Sequence, residues 1–168
     1  NNTLTSTTHS QVLLPTLGAN YQFNDNHSMG VKYMGKALTD YRGTIDGHSI
    51  ATLDGVLDDD LRTQSTMLYD DYANHQVNAY YNGTAGKLNI DFNADWLMQD
   101  EDGHDMYDEN STNDEDRIVN SYSNTRNRMG AGKLVLTYPV LGGSLSAGSE
   151  YTYTYRKDVY LNPENYLP

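Results

Sequence analysis

The sequence contains no cysteine and only 4 prolines among its 168 residues. Without cysteine the chain can form neither a disulfide framework nor a thiolate metal site. Its five histidines are scattered and show no HExxH spacing, which excludes that zinc-protease motif. The formal charge of −12 argues against nucleic acid as a partner, because binding phosphates requires a basic surface.

Long apolar runs are also missing. No segment approaches the ~20 apolar residues of a membrane-spanning helix, and no basic-then-apolar signal peptide opens the sequence. Hydrophobic residues make up 37% of the chain, and exchanging its 15 Tyr for its 14 Gly in that count leaves about 36%, whereas an ordinary domain is roughly 45–50% apolar when Gly is counted and Tyr is not. The chain is therefore short of core material, yet its many aromatic residues argue against disorder.

What the sequence does contain is alternation. Apolar and polar residues alternate without a break over Lys87–Trp96, which predicts a strand with one apolar and one polar face. The segment 76–82 alternates as well, and Gly83–Gly86 supplies the turn of a hairpin. Two further hairpins turn near 24–26 and 139–143. We predict strands at about 12–23, 28–42, 64–82, 87–99, 115–138 and 144–158.

Two long polar connections, about Thr44–Thr66 and Asp100–Asp116, are expected to alternate with the short turns. Short turns on one side and long loops on the other are typical of outer-membrane barrels, and ~9–11 residues suffice for a tilted spanning strand. We therefore predict an all-β, antiparallel up-and-down meander that forms a sector of a large transmembrane β-barrel. Because such barrels have at least eight strands, residues 1–168 are expected to be a partial barrel domain of a longer polypeptide.

The alternation assigns a role to each side of the strand at 87–96. The residues expected to face lipid are Leu88, Ile90, Phe92, Ala94 and Trp96. The residues expected to face a water-filled or plugged lumen are Lys87, Asn89, Asp91, Asn93 and Asp95. The lipid bilayer is thus the first expected partner.

The hairpin Gln76–Trp96 resembles the outer-membrane β-barrel family of TonB-dependent-receptor-like proteins, whose barrels carry a VNAYYNG strand followed by a GKLxIDFNADY-type strand. Tyr21–Phe23, His27–Gly30 and Ser149–Tyr153 extend the similarity. The resemblance implies a Gram-negative outer-membrane barrel of about 22 strands that imports a bulky nutrient. It also implies partners for the parent protein: the remaining strands, a plug, an energy-coupling protein and an unknown ligand.

Candidate chemical sites are few. Asp100, Asp102 and Asp105 surround a glycine in a run that an oxygen-ligated Ca²⁺ loop could use, although a solvated loop is the simpler interpretation. Asp91 and Asp95 would stand roughly 13 Å apart on one strand, too far for a glycosidase pair. We therefore expect no enzyme activity and no cofactor other than this possible Ca²⁺.

A second class remains open: a soluble, secreted β-sandwich that serves as an adhesion module binding carbohydrate or calcium. It requires the apolar stripes of different hairpins to face one another across a dry interface. Greek-key strand order would favour the sandwich, and a simple meander would favour the barrel. A third possibility is a fragment whose apolar face has repacked into a dimer or closed sandwich.

Overall fold

Residues 2–164 are described by a computed structural model of the chain. The strands are β1 (Asn2–Leu13), β2 (Thr16–Asn24), β3 (His27–Leu53), β4 (Val56–Ala85), β5 (Leu88–Asn110), β6 (Arg117–Val140) and β7 (Gly143–Leu161). They form one antiparallel sheet in the order β1-β3-β4-β5-β6-β7, with β2 also paired to β3. The prediction of an all-β up-and-down meander is confirmed. Over residues 2–164 the sheet is not closed, because β7 pairs with neither β1 nor β2.

Within residues 2–164 this sheet has no hydrophobic core. No apolar side chain is fully buried, and the one buried polar side chain is that of Thr66, which is 2% exposed. Large apolar residues such as Leu17 and Tyr151 remain 74% and 71% exposed. The described residues include no helix long and apolar enough to cross a membrane. The sheet is therefore held by its backbone ladders and by contacts between neighbouring side chains on each face.

The predicted long polar connections are largely strand. β3 and β4 continue through Thr44–Thr66 and meet at a two-residue turn, Asp54 and Gly55, with φ angles of 53° and 79°. Both angles suit the primed turns that join tight hairpins. β5 takes up residues 100–110, where it pairs with the first part of β6, and a loop at 111–116 joins the two strands. These ribbons are polar on both faces, so they lack the period-two signal by which strands are recognised in a sequence. We call these parts of β3–β6 the distal extensions.

The strand predicted at 12–23 is two strands that follow one another along β3. β1 pairs with residues 37–49 of β3, and β2 pairs with residues 27–34. The break falls at Leu14 and Pro15, where proline has no N–H for the ladder. The N–H of Gly35 donates to the carbonyl oxygen of Pro15 at 2.8 Å, which keeps the two strands aligned along the same neighbour.

A tyrosine packs against a glycine on the polar face of the sheet. The ring of Tyr80 lies over Gly30, and its hydroxyl donates to Oδ1 of Asn20 at 3.1 Å. A Cβ at Gly30 would lie 2.4 Å from the Tyr80 ring and 2.3 Å from the Asn20 amide oxygen. The absence of a side chain at Gly30 is thus what lets β2, β3 and β4 share this contact.

We expect Gly30→Ala to destabilise the sheet by about 1–3 kcal/mol, because the added methyl displaces Tyr80 and breaks its hydrogen bond. Gly132→Ala is the matched control, since a Cβ there meets no atom within 4 Å. Denaturant unfolding of the two variants measures the difference. Equal midpoints would contradict this account of the Tyr80 contact.

Candidate functional site

The strand register places the apolar residues of six strands on one face. Directly opposite residues share a face, and Tyr21, Met29, Tyr81, Phe92 and Leu134 form one such row from β2 to β6. We call this surface the apolar band. It consists of Leu17, Ala19, Tyr21, Met29, Val31, Tyr33, Val77, Ala79, Tyr81, Leu88, Ile90, Phe92, Ala94, Trp96, Leu134, Leu136, Tyr138, Leu145, Ala147, Tyr151, Tyr153 and Tyr155.

The residues expected to face lipid, Leu88, Ile90, Phe92, Ala94 and Trp96, all lie in the apolar band. Of the residues expected to face a lumen, Asn89, Asp91, Asn93 and Asp95 lie on the opposite face, and Lys87 lies in the turn before β5.

Hydrogen bonds link the side chains of that polar face. The amide nitrogen of Asn78 donates to Asn93 at 2.8 Å and to Asp95 at 2.7 Å. Farther along the sheet, the hydroxyls of Thr137 and Ser146 lie 2.8 Å apart. The sheet thus has a continuous apolar side and a hydrogen-bonded polar side.

Two tyrosine–histidine pairs border the apolar band on β3 and β4. The Tyr81 hydroxyl shares a 2.8 Å hydrogen bond with Nδ1 of His27, near the short turns. The Tyr33 hydroxyl shares a 2.7 Å hydrogen bond with Nδ1 of His75, toward the distal extensions. The two rings point in opposite directions, away from the middle of the band.

Neighbouring glycines leave room for the two hydroxyls. A Cβ at Gly83 would lie 2.4 Å from the Tyr81 hydroxyl, and one at Gly35 would lie 2.7 Å from the Tyr33 hydroxyl. Gly35 is paired with His75, eight residues from Gly83 along β4. Eight residues of strand span about 27 Å. The polar tips therefore enclose an apolar zone about 27 Å long.

Ionic pairs border the band on β5 and β6. Nη2 of Arg128 lies 2.7 Å from a carboxylate oxygen of Asp100, and Nη1 of Arg126 lies 3.1 Å from one of Asp102. On the same face, Asp100 and Asp102 lie beyond Trp96 on β5, and Arg128 and Arg126 lie beyond Gly130 in the same direction on β6. The change from apolar to charged residues is therefore abrupt and occurs on adjacent strands together.

The three carboxylates considered for calcium do not converge. Asp100 and Asp102 lie on the apolar side of β5 and are paired with arginines, whereas the odd-numbered Asp105 points to the opposite face. No group of three or more His, Asp or Glu residues suited to a metal ion occurs within residues 2–164. The alternation of a strand, which the loop interpretation had ignored, separates these side chains.

A cluster of aromatic rings on the polar face was missed by the sequence analysis. Tyr41 and Tyr69 have ring centroids 4.8 Å apart, those of Tyr69 and Tyr72 are 6.2 Å apart, and the Lys36 ammonium lies 5.4 Å from the Tyr72 centroid. Burial, followed by the nearby charge of Glu101, raises the pKa of Tyr69. The rings come together because a bulge at residue 70 sets Tyr69 and Tyr72 on one face. No sequence periodicity signals such a bulge.

The loop at 111–116 is attached to β4 by hydrogen bonds, most of them to the carboxylate of Asp59. Asp59 Oδ1 accepts hydrogen bonds from the Ser111 hydroxyl at 3.0 Å, the Thr112 N–H at 3.0 Å and the Thr112 hydroxyl at 2.9 Å. Desolvation alone would raise the pKa of Asp59, but the bonds from Thr112 and Ser111 lower it overall. The hydrogen bonds to Asp59 thus favour its ionised form.

A lowered pKa in the folded state means that Asp59 stabilises the loop above its ordinary pKa of about 3.9 and loses this effect as the pH falls further. We expect the protection factor of the Thr112 amide, corrected for intrinsic exchange, to fall on acidification below about pH 4. Asp59→Asn should lower protection already at neutral pH. Asp58→Asn is the control, because only the backbone carbonyl of Asp58 contacts the loop. Unchanged protection in Asp59→Asn would refute the attachment.

No protein-family model and no curated protein matches this sequence. Among solved structures, the chain is similar to OmpT, an outer membrane protein of Vibrio cholerae, at 10% identity and a TM-score of 0.20, over 86% of this chain and 64% of that one. A loop L8 deletion mutant of OmpT aligns at 8% identity and a TM-score of 0.16, over 87% and 62%. The chain thus spans less than two thirds of either protein. TM-scores this low support no statement about the fold or the function of this chain.

Proposed function

We propose that this chain is a sector of a transmembrane β-barrel in the outer membrane of a Gram-negative bacterium. The apolar band contacts lipid, and the opposite face lines an aqueous or plugged lumen. The observation that carries this proposal is the zone between the Tyr81–His27 and Tyr33–His75 pairs. Amphipathic rings that turn their polar ends away from an apolar centre are typical of side chains at the two boundaries of a membrane.

The length of this zone supports the proposal. Strands of outer-membrane barrels are tilted by roughly 40°, so about 27 Å along β4 corresponds to about 21 Å along the membrane normal, close to the ~25 Å apolar belt of such barrels. A lipid layer also accounts for the missing core, since lipid supplies the apolar surroundings that a second protein layer would provide. The single meander sheet favours this arrangement over the sandwich.

Two open edges indicate how the sector continues. Among residues 2–164, β1 and β2 form one edge and β7 forms the other, and each exposes backbone groups that are unpaired within this range. In lipid such groups must be paired, so further strands of the parent protein are proposed to flank both edges. The resemblance of Gln76–Trp96 to TonB-dependent-receptor-like barrels supports uptake of a bulky nutrient as the parent's function. The plug and the energy-coupling protein would then act with this sector.

The lipid-facing assignment predicts alternating accessibility along β5. This chain has no cysteine of its own, so cysteines are placed singly at positions 89–96 of the protein in vesicles, and the protein without them is the labelling control. We expect a water-soluble maleimide to react at 89, 91, 93 and 95, and a bimane label to be quenched by brominated lipid at 90, 92, 94 and 96. Uniform labelling by the maleimide would contradict the assignment.

A charge on the apolar band should hinder folding into lipid. We expect Ala94→Arg to cost about 2–4 kcal/mol of stability in vesicles, the range found near the bilayer midplane. Asp91→Arg, on the opposite face of the same strand, should change stability by less than about 0.5 kcal/mol, as exposed substitutions usually do. Urea unfolding of both variants in vesicles gives the comparison. Similar losses in the two variants would mean that Ala94 does not face lipid.

A further inference from the structure

The ionic border of the apolar band separates its charges by strand. Over the three rows that run through Met98, Asp100 and Asp102 of β5, the acidic side chains lie on β4 and β5 and the basic ones on β6 and β7, all on the face of the apolar band. They are Asp71, Asp100 and Asp102 on one side and Arg126, Arg128 and Lys157 on the other. Arg42 of β3 lies one row farther on the same face. The chain as a whole has a formal charge of −12. The three cations nevertheless form a local group, and their acidic neighbours lie only on the β5 side of that group.

Lys157 differs from the two arginines in its surroundings. It is exposed and lies directly opposite Arg126, which is itself held by Asp102 on the other side. No ion pair or hydrogen bond involves the Lys157 ammonium within residues 2–164. Two like charges directly opposite each other destabilise a strand pair. An anion placed over Arg126 and Lys157 would relieve this repulsion.

Exposed aromatic rings adjoin the cations. Tyr155 lies directly opposite Arg128, and Tyr153 follows toward the middle of the apolar band. Their side chains are 47% and 46% exposed. A molecule that matches this surface has an anionic group for the cations and an apolar body for the rings.

We propose that Arg126, Arg128 and Lys157 bind the phosphate of a lipid headgroup, whose acyl chains lie against Tyr153 and Tyr155. This inference rests on the proposed function, because the cations face a membrane only if the apolar band does. Guanidinium groups bind phosphate oxygens in a forked geometry, and Lys adds a point charge. Asp100 and Asp102 pair with the two guanidinium groups from the β5 side and compete with the phosphate for them.

Lipid selectivity in vesicles tests the site. The intact protein is reconstituted in phosphatidylcholine, and the motionally restricted fraction of spin-labelled phosphatidic acid is compared with that of spin-labelled phosphatidylcholine. We expect a preference for phosphatidic acid that Lys157→Gln reduces by about fivefold, the effect of one cation near a lipid surface. Asp102→Asn should increase the preference, because it frees Arg126. Lys133→Gln, a cation on the polar face, should leave it unchanged.

Each outcome bears on the proposal. No preference for phosphatidic acid, or the same preference in Lys157→Gln and Lys133→Gln, would overturn the site while leaving the lipid-facing band intact. A missing restricted fraction of phosphatidylcholine would instead refute the proposed function. Inorganic phosphate should not compete beyond sodium chloride of equal ionic strength. Competition beyond that level would show a site for soluble phosphate and overturn the assignment to lipid. If Asp102→Asn fails to fold, Lys157→Glu tests the same site by reversing the charge.

Discussion

The pairing register of the antiparallel strands is the constraint on which the whole molecule depends. Because side chains alternate, a slip of one residue would move every apolar side chain of a strand to the polar face. The observed register instead brings Met29, Tyr81, Phe92 and Leu134 side by side. Short turns, such as that at Gly86, fix the register at one end of each hairpin. A continuous apolar face follows from these pairings alone.

Such a face without a core explains the unusual composition. In a globular protein a chain with so few apolar residues would not bury enough surface to fold. Here the backbone ladder supplies the order, and contacts such as that of Tyr80 over Gly30 fix neighbouring strands. Under the proposed function, lipid takes the place of the second layer. The distal extensions, polar on both faces, then stand in water beyond the headgroups and carry the loop attached by Asp59.

Much of the architecture could be predicted because period-two alternation is a local property. Lys87–Trp96 has the pattern of a strand with one apolar face, and the turn residues Gly83–Gly86 predict the hairpin that joins it to the strand before it. The distal extensions escaped prediction because a strand that is polar on both faces has no such pattern. The calcium hypothesis treated Asp100, Asp102 and Asp105 as loop ligands, whereas a strand directs Asp105 away from the other two. The tyrosine cluster depends on a bulge at residue 70, which no composition reveals.

The sequence by itself determined which residues share a face of each strand, because that depends only on neighbours two positions apart. It also determined that no conventional core could form. Only the tertiary structure decided which strands lie side by side and in what register. Partners such as Tyr33 and His75, or Arg126 and Lys157, are separated in the sequence by tens of residues. Their meeting depends on the hydrogen-bonded ladder of the assembled sheet, which joins distant segments and has no counterpart in a local pattern.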